Sequence, residues 1–186
     1  MLVGILALQG DFFEHAQAVE LIKKDYKLIK TVEDLLEIDA IILPGGESTA
    51  MKIIQKNLNL FNTIQILIKD KIPTLGTCAG AILLSSNIID DTNTNLGVLN
   101  VSIKRNAYGR QNESFEANVS IDSLPKEKYC FIRAPKFVNI GDNVQVIAEL
   151  EKEPVGVRQD NIVAFTFHPE LNPSPLYLDW LSEFLE

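Results

Sequence analysis

The sequence predicts a single-domain α/β fold over residues 1–186, with a mostly parallel central sheet flanked by helices and an additional antiparallel β region in its second half. Three observations predict it. The length of 186 residues suits one domain with a sizeable core. Short apolar runs alternate with helical patterns in the first half, which is typical of a parallel sheet covered on both faces. Short β-branched or alternating segments, separated by turn signals, fill the second half.

The first half alternates between strand and helix patterns. Leu2–Leu8 is a short apolar run typical of a buried strand, and Phe12–Lys24 has apolar residues at roughly helical spacing. Thr31 and Asp34 form a capping-box pattern, which predicts a short helix over Val32–Glu37. The other expected strands are Leu28–Ile29, Ala40–Leu43 and Pro73–Leu75, and the other expected helices are Ser48–Lys56, Leu60–Lys69 and Ala79–Ile88.

The second half is predicted to consist of strands followed by a final helix, Leu176–Leu185. The expected strands are Leu99–Lys104, Ser114–Ile121, Cys130–Arg133, Val144–Glu149, Val155–Gln159 and Ile162–Phe167. Because Cys130 falls in a strand, we expect it to be a small core residue.

Composition excludes several kinds of partner. The formal net charge of −8 argues against nucleic acid, whose binding depends on Lys and Arg. The run Leu2–Leu8 is short and lacks a basic leader, and no apolar stretch approaches the roughly 20 residues of a membrane span. We therefore expect no membrane partner.

The same observations favour a cytoplasmic location. In that reducing compartment, we expect Cys78 and Cys130 to be free thiols. The cysteines and the two histidines lack zinc-ligand spacing, so no metal is expected.

The stretch Gly76-Thr-Cys78-Ala-Gly80 matches the nucleophile-elbow pattern, with sulfur in place of a serine oxygen. The turn from strand to helix is tight, so the residues two before and two after the nucleophile must be small. The turn also places Cys78 at a helix N-terminus, which favours the thiolate. The alternative is a buried cysteine with glycines that only allow close packing.

A histidine and a glutamate follow the last predicted strand. His168 and Glu170 are two residues apart, and Pro169 favours extended backbone at His168, so both side chains are expected on one side. Glu170 would then orient the imidazole, as in a nucleophile–base–acid triad. The alternative is a structural histidine beside a solvent-facing glutamate.

The loop Leu43-Pro-Gly-Gly-Glu-Ser-Thr49 follows another predicted strand, and the carboxyl ends of parallel strands meet at one edge of a sheet. The amides of Gly46 and Ala79 could form an oxyanion hole. The alternative is a tight turn with a helix N-cap at Ser48 or Thr49. Arginines suit carboxylate recognition, which makes Arg105 and Arg133 candidates, although such residues are also ordinary on a surface.

Taken in order, these segments resemble the glutaminase subunit of pyridoxal 5′-phosphate synthase, a class I (triad) glutamine amidotransferase. The resemblance rests on LALQGD with Glu14-His15, LPGGEST, GTCAG, NAYGRQ followed by SFEA, FIRAP and FHPEL, between Val3 and Leu171. GTCAG with HPE indicates only a class I amidotransferase, whereas LALQGD, LPGGEST and NAYGRQ select the vitamin B6 branch.

The resemblance implies that Cys78 attacks the glutamine side-chain amide, that His168 transfers the proton and that Glu170 supports His168. A glutamyl thioester forms and is hydrolysed, releasing glutamate and ammonia without a cofactor. It also implies glutamine-binding residues, namely Gly46, Glu47, Ser48, Arg105, Ile132 and Arg133.

The resemblance further implies a partner, a (β/α)₈-barrel synthase that uses the ammonia, in a complex of twelve synthase and up to twelve glutaminase subunits. Gln9, Gly10 and Asp11 match a loop that lies towards the synthase, although Asp11 could be an ordinary helix cap. Two alternatives stay open at this point. One is an amidotransferase subunit for another pathway, such as histidine or purine synthesis, and the other is a redox-sensing or chaperone-like domain with an elbow cysteine.

Overall fold

A nine-stranded mixed sheet organises the chain in the computed structural model, which describes residues 1–89, 95–107 and 114–186, and only the backbone of residues 55–58. The strands are β1 Leu2–Leu6, β2 Asp25–Ile29, β3 Ala40–Leu43, β4 Thr74–Thr77, β5 Ser85–Ile88, β6 Leu99–Lys104, β7 Ser114–Ile121, β8 Glu127–Ile132, β9 Lys136–Ile140, β10 Gln145–Leu150, β11 Glu153–Gln159 and β12 Ile162–Phe165. The α-helices are α1 Phe12–Leu21, α2 Ser48–Leu58, α3 Leu60–Lys69, α4 Ala79–Leu84 and α5 Pro175–Leu185.

The large sheet has the strand order β2-β1-β3-β4-β12-β11-β10-β7-β8. The first part is parallel: β1 pairs with β2 and β3, β3 with β4, and β4 with β12. The remaining pairs, from β12 through β11, β10 and β7 to β8, are antiparallel. The predicted parallel sheet with an antiparallel region in the second half is confirmed.

Helices cover both faces of the sheet. On one face, apolar residues of α2, α3 and α4 pack with β3 and with a second sheet of order β5-β6-β9. On the other face, α1 and α5 pack against β1, β3 and the antiparallel strands β7 and β8. Strands β3 and β4 are buried along their whole lengths, as expected for central parallel strands. No described helix is both long enough and apolar enough to cross a lipid bilayer.

The expected helix over Ala79–Ile88 is wrong in its second half. The helix ends at Leu84, and Ser85–Ile88 is strand β5, which pairs in parallel with β6. Strand β9, Lys136–Ile140, was not expected at all, and it completes the same small sheet through antiparallel pairing with β6. Pairing with a distant segment decided the conformation of both stretches, and local pattern does not contain that information.

Two expected helix starts also differ in detail. The short helix expected over Val32–Glu37 is a single 3₁₀ turn, Glu33–Leu35, and the Asp34 carboxylate accepts hydrogen bonds from the amides of Lys30 and Thr31. Helix α2 is capped by Glu47 rather than by Ser48 or Thr49, as its carboxylate accepts from the amides of Thr49 and Ala50. The sequence pattern therefore located both turns and the bond from the Thr31 amide to Asp34, but not the residue that caps α2.

Candidate active site

Cys78 occupies the tight turn between β4 and α4. Its φ of 47° and ψ of −100° lie in a region that side-chain-bearing residues rarely adopt, and such strain is commonly held at functional sites. A Cβ at Gly76 would lie 2.6 Å from Leu84 Cδ1 and 2.9 Å from the Gly80 carbonyl carbon, and a Cβ at Gly80 would collide with the Leu43 carbonyl. Both glycines are therefore needed for the turn, as the elbow pattern predicted.

The Cys78 side chain is nearly enclosed. The residue is 7% exposed, and its Sγ lies 3.8 Å from the carbonyl oxygen of Ile132 on β8. The backbone amide of Cys78 donates to the carbonyl of Phe165, at 2.8 Å, which attaches the turn to β12. The thiol therefore lies in a confined space next to the end of β8.

His168 and Glu170 lie directly beyond β12, and both are buried, at 3% and 2% exposure. The His168 amide donates to the carbonyl of Cys130, at 2.9 Å, which fixes the backbone that carries the ring. His168 Nδ1 lies 2.8 Å from Glu170 Oε1, so Nδ1 carries the hydrogen and the carboxylate accepts it. His168 Nε2 is buried and has no hydrogen-bond partner among the described residues. The predicted pairing of imidazole and carboxylate is present.

A second carboxylate contacts the same ring nitrogen. Asp11 Oδ2 lies 3.2 Å from His168 Nδ1. This interaction with His168 is the main reason that the pKa of Asp11 is lowered. Burial by itself would lower the pKa of His168, but its interactions with Asp11, Cys78 and Glu170 outweigh burial and raise this pKa to about 12. The ring is therefore an imidazolium at neutral pH, with two anions at Nδ1.

His15 stands behind this group on α1 and is fully buried. Its Nε2 lies 3.0 Å from Thr77 Oγ1 and 3.5 Å from Glu170 Oε1. Burial lowers the pKa of His15, although the Glu170 charge acts in the opposite direction, so this ring is neutral at pH 7. Its contact with the carboxylate was not anticipated from sequence. The available signal was its place on the apolar side of α1, beside Ala16 and near Phe12.

The loop between β3 and α2 forms the opposite wall of the site. Gly46 has a φ of 140°, which is strained for any residue with a side chain. The amide of Glu47 donates to Gln9 Oε1 at 2.5 Å, and this bond joins the loop to the one that follows β1. Glu47 Oε1 lies 3.3 Å from an Arg105 guanidinium nitrogen. Burial opposes ionisation of Glu47, but the Thr49 and Ala50 amides and Arg105 outweigh it, so its pKa is lowered.

These walls enclose a cavity of about 260 Å³. This volume is below the roughly 300–1,000 Å³ that is usual for drug-sized ligands and suits a smaller molecule. The cavity wall carries both signs of charge. The described lining residues are Gln9, Gly10, Asp11, Gly46, Glu47, Ser48, Cys78, Ile82, Arg105, Asn106, Ile132, Arg133 and His168.

The structure thus brings together the residues that the sequence singled out. Cys78, His168 and the six expected glutamine-binding residues line one cavity, while Ala79 and Glu170 are buried next to the nucleophile and the imidazole. Gln9, Gly10 and Asp11, which were expected at a partner interface, line the cavity too. Of the NAYGRQ segment, residues 108–111 lie outside the described part of the chain.

The expectation for Cys130 is wrong. The residue is half-buried rather than in the core, and its Sγ lies 3.9 Å from Glu116 Oε1. Strand β8 turns this side chain away from the apolar cluster that contains its neighbours Tyr129 and Phe131. Burial, helped by the Glu116 charge, raises the pKa of the Cys130 thiol. Of the two cysteines, only Cys78 lines the cavity just described.

Asp11, His168 and Glu170 are the described residues whose ligand-type atoms are grouped closely enough for a metal, within 4.8 Å of one another. Both carboxylates face Nδ1, whose hydrogen Glu170 accepts, and a metal ion at this nitrogen would have to displace that hydrogen. We interpret the three residues as a hydrogen-bonded cluster.

Comparison with known proteins gives a consistent result. Residues 5–184 match the SNO glutamine amidotransferase family. The chain is 43% identical over 172 residues to the pyridoxal 5′-phosphate synthase subunit PdxT of Thermosipho africanus, covering 92% of each chain. It is 45% identical over 185 residues to the subunit of the same name from Caldicellulosiruptor bescii, covering 99% of this chain and 96% of that protein.

Solved structures agree with the observed fold. A crystal structure described as a glutamine amidotransferase superposes with a TM-score of 0.93 at 38% identity, covering 98% of both chains. A chain in the structure of PurLQS from Thermotoga maritima superposes with a TM-score of 0.74 at 15% identity, covering 100% of this chain and 98% of that one. The second similarity shows the fold alone.

Proposed function

Because the chain belongs to the SNO glutamine amidotransferase family, we propose that it hydrolyses L-glutamine to L-glutamate and ammonia, and that the ammonia serves pyridoxal 5′-phosphate synthesis. The observation that carries this proposal is the arrangement at one cavity, in which the Cys78 thiol and the His168 ring share the wall, and Glu170 holds Nδ1 at 2.8 Å.

The chemistry follows from the charge state of the ring. With His168 protonated, Cys78 attacks the side-chain amide carbon as a thiolate, and the amides of Gly46 and Ala79 stabilise the oxyanion that forms. His168 then gives its Nε2 proton to the departing nitrogen, and ammonia leaves a glutamyl thioester on Cys78. The neutral ring next accepts a proton from water, which attacks the thioester and releases glutamate.

The cavity suits this substrate. Its volume fits a small molecule, and its two arginines and the Glu47 carboxylate offer both charge signs to the zwitterionic backbone of an amino acid. Glu47 is fixed by the first amides of α2 and by Arg105, so the charges at this wall are held in place before substrate arrives. Ser48, Ile132 and Arg133 complete the proposed glutamine-binding set.

The partner is a pyridoxal 5′-phosphate synthase subunit, as the names of the relatives indicate. We further propose that this partner is a (β/α)₈ barrel, that twelve synthase subunits carry up to twelve copies of this chain, and that the complex is cytoplasmic. Gln9, Gly10 and Asp11 are proposed to face it. Phe13, which is 63% exposed beside this loop, supports that assignment, because an exposed large apolar side chain is common at interfaces.

The experiment that tests the function is glutamate release from glutamine in the presence of the synthase, comparing wild type with Cys78→Ala. Cys130→Ala is the matched control, because it removes the other thiol outside the cavity. We expect Cys78→Ala to abolish release and Cys130→Ala to retain it. Equal rates in wild type and Cys78→Ala would refute the assignment of the nucleophile.

Two other functions would give different results. An amidotransferase for histidine or purine synthesis would respond to the synthase of that pathway and not to the pyridoxal 5′-phosphate synthase. A redox-sensing or chaperone-like domain would release no glutamate with either partner. The hydrogen-bonded pair of His168 and Glu170 argues against the sensor, because a thiol that only becomes oxidised needs no oriented proton carrier.

A further inference from the structure

Asp11 occupies the N-cap position of α1, where an aspartate side chain usually caps the helix, but the Asp11 side chain does not cap it. It precedes Phe12, the first residue of α1, and its side chain makes no capping hydrogen bond. Its carboxylate turns instead towards the cavity, where Oδ2 lies 3.2 Å from His168 Nδ1. The side chain therefore faces the imidazole and not the free amides of its own helix.

The two loops around the site are built to allow this approach. The amide of Asp11 donates to the Gly45 carbonyl at 3.3 Å. A Cβ at Gly45 would lie 2.6 Å from Asp11 Oδ2 and would collide with His168 Cε1. Gly10, with a φ of 99°, packs directly on the Gly45 carbonyl. Close packing of glycines thus brings the carboxylate to the ring.

The contact places two carboxylates on one ring nitrogen. Glu170 Oε1 is the nearer, at 2.8 Å, and is fully enclosed, while the Asp11 side chain is 31% exposed. A single Nδ1 hydrogen cannot point straight at both oxygens: Glu170 accepts the hydrogen bond, while Asp11 forms an ion pair with the ring beside it. Two negatively charged groups therefore stabilise the imidazolium, where a single carboxylate would normally do so.

On the basis of the function proposed above, we propose that Asp11 is a positioning residue of the hydrolysis, pairing with His168 at Nδ1 beside Glu170 and holding the ring in place. Asp11 acts through the ring and not on the substrate. The charged and titratable groups that face His168 are Cys78 on the elbow, Asp11 and His15 at the start of α1, Glu170 beyond β12 and Cys130 on β8, and the cavity wall adds Glu47, Arg105 and Arg133.

The test is Asp11→Asn, which keeps the shape and an acceptor oxygen but removes the charge, assayed in the complex with the synthase. We expect kcat to fall about tenfold, with KM nearly unchanged, because the base stays in place and only part of the roughly 10²–10⁴-fold contribution of general acid–base catalysis is lost. The alkaline limb of the pH profile of kcat/KM should move to lower pH, because the imidazolium has lost one of its two anions. Glu14→Gln is the matched control, since it removes one negative charge from the same turn of α1.

A spectroscopic measurement separates positioning from a structural effect. The Hε1 signal of His168 should keep its imidazolium shift up to about pH 10 in wild type and should begin to titrate at lower pH in Asp11→Asn. Asp11→Ser, which can cap α1, gives a second variant if the first folds poorly, and the same loss is expected.

Three results would overturn the proposal. The first is an unchanged pH profile and kcat in both variants, which would make Asp11 a packing residue. The second is a raised KM with an unmoved profile, which would make it a substrate-binding residue. The third is an equal effect of Glu14→Gln, which would make the effect one of general charge. Absence of glutamate release by wild type would instead count against the proposed function, so the two failures are distinguishable.

Discussion

The backbone amide of Cys78 donates to the carbonyl oxygen of Phe165 at 2.8 Å, which joins the nucleophile's turn to the strand that precedes His168. The two strands are neighbours in parallel register, with Thr77 opposite Phe165. The thiol and the imidazole, 90 residues apart in sequence (168 − 78), therefore emerge side by side at one edge of the sheet. Their proximity is set by backbone pairing and not by flexible loops.

Replacement of the supporting carboxylate should reduce turnover less than replacement of the base. We expect His168→Asn to lower kcat by about 10⁴-fold, since His168 is the only imidazole among the described residues that line the cavity. Glu170→Gln should lower kcat by about 10²–10³-fold, because Asp11 still supplies one anion to Nδ1. Steady-state glutaminase assays with the synthase measure both, and thermal unfolding confirms that the variants fold. Wild-type turnover in His168→Asn would mean that another base operates.

The pKa values of the two histidines should be shifted in opposite directions from their ordinary value of about 6.5. The pKa of His168 is raised to about 12, so its ring should remain charged through neutral pH. Burial lowers the pKa of His15, so its ring should remain neutral. The chain has only these two histidines, so proton NMR of the Hε1 signals resolves them, and His15→Asn assigns them. A midpoint near 6.5 for either signal would contradict the site as described.

Buried His15 should make the fold sensitive to acid. Its folded pKa is depressed, so the unfolded chain binds a proton below about pH 6.5 that the folded chain does not, and stability is lost as pH falls. The loss should begin near pH 6.5, where the unfolded chain starts to bind the extra proton, and should grow as the pH falls further. His168 has a raised pKa, so its contribution is complete below pH 6.5 and declines only at higher pH.

Urea unfolding of wild type and His15→Asn at several pH values measures this difference. His15→Asn loses the contact with Thr77 and should be less stable overall, but its stability should fall less steeply between pH 6.5 and 5. Parallel curves for the two proteins would show that His15 is charged in the folded state.

Gly45→Ala should damage activity more than stability. The backbone there does not have positive φ, but the added Cβ would collide with His168 and press on Asp11. We expect kcat to fall at least about tenfold, with about 1–3 kcal/mol lost from the unfolding free energy. Gly97→Ala is the opposite case, as Gly97 has a φ of 65° and open space around it. It should cost about 1 kcal/mol and leave kcat unchanged. Normal turnover in Gly45→Ala would mean that ring and loop adjust freely.

Most of the parallel sheet and the elbow could be predicted from sequence, because their signals are local. Ala40–Leu43 is an uninterrupted apolar run, and the observed strand has the same bounds. The glycines around Cys78 predict a tight turn, and the structure has a tight turn there. Strands β5 and β9 were missed because their conformation depends on pairing with β6, more than ten residues away in sequence.

The site shows the same division between local and distant information. The contact of His168 with Glu170 follows from alternation over two residues, so it could be predicted. The contacts of Asp11 with His168 and of His15 with Glu170 join segments more than 150 residues apart, and no short-range pattern encodes them. An aspartate directly before a helix is normally its cap, so the sequence alone provided no reason to expect that Asp11 would contact His168.

Strand β12 is inserted between β4 and β11, although it is made last among the strands. Until residues 162–165 leave the ribosome, the growing chain carries β4 with an unpaired edge and only part of its hydrogen bonding complete. The unpaired backbone groups of such an edge can form hydrogen bonds with other chains. Premature termination anywhere before this strand should therefore yield an insoluble and inactive product. Synthesis must therefore proceed through β12, after which only α5 remains to be made, before the edge of β4 is covered.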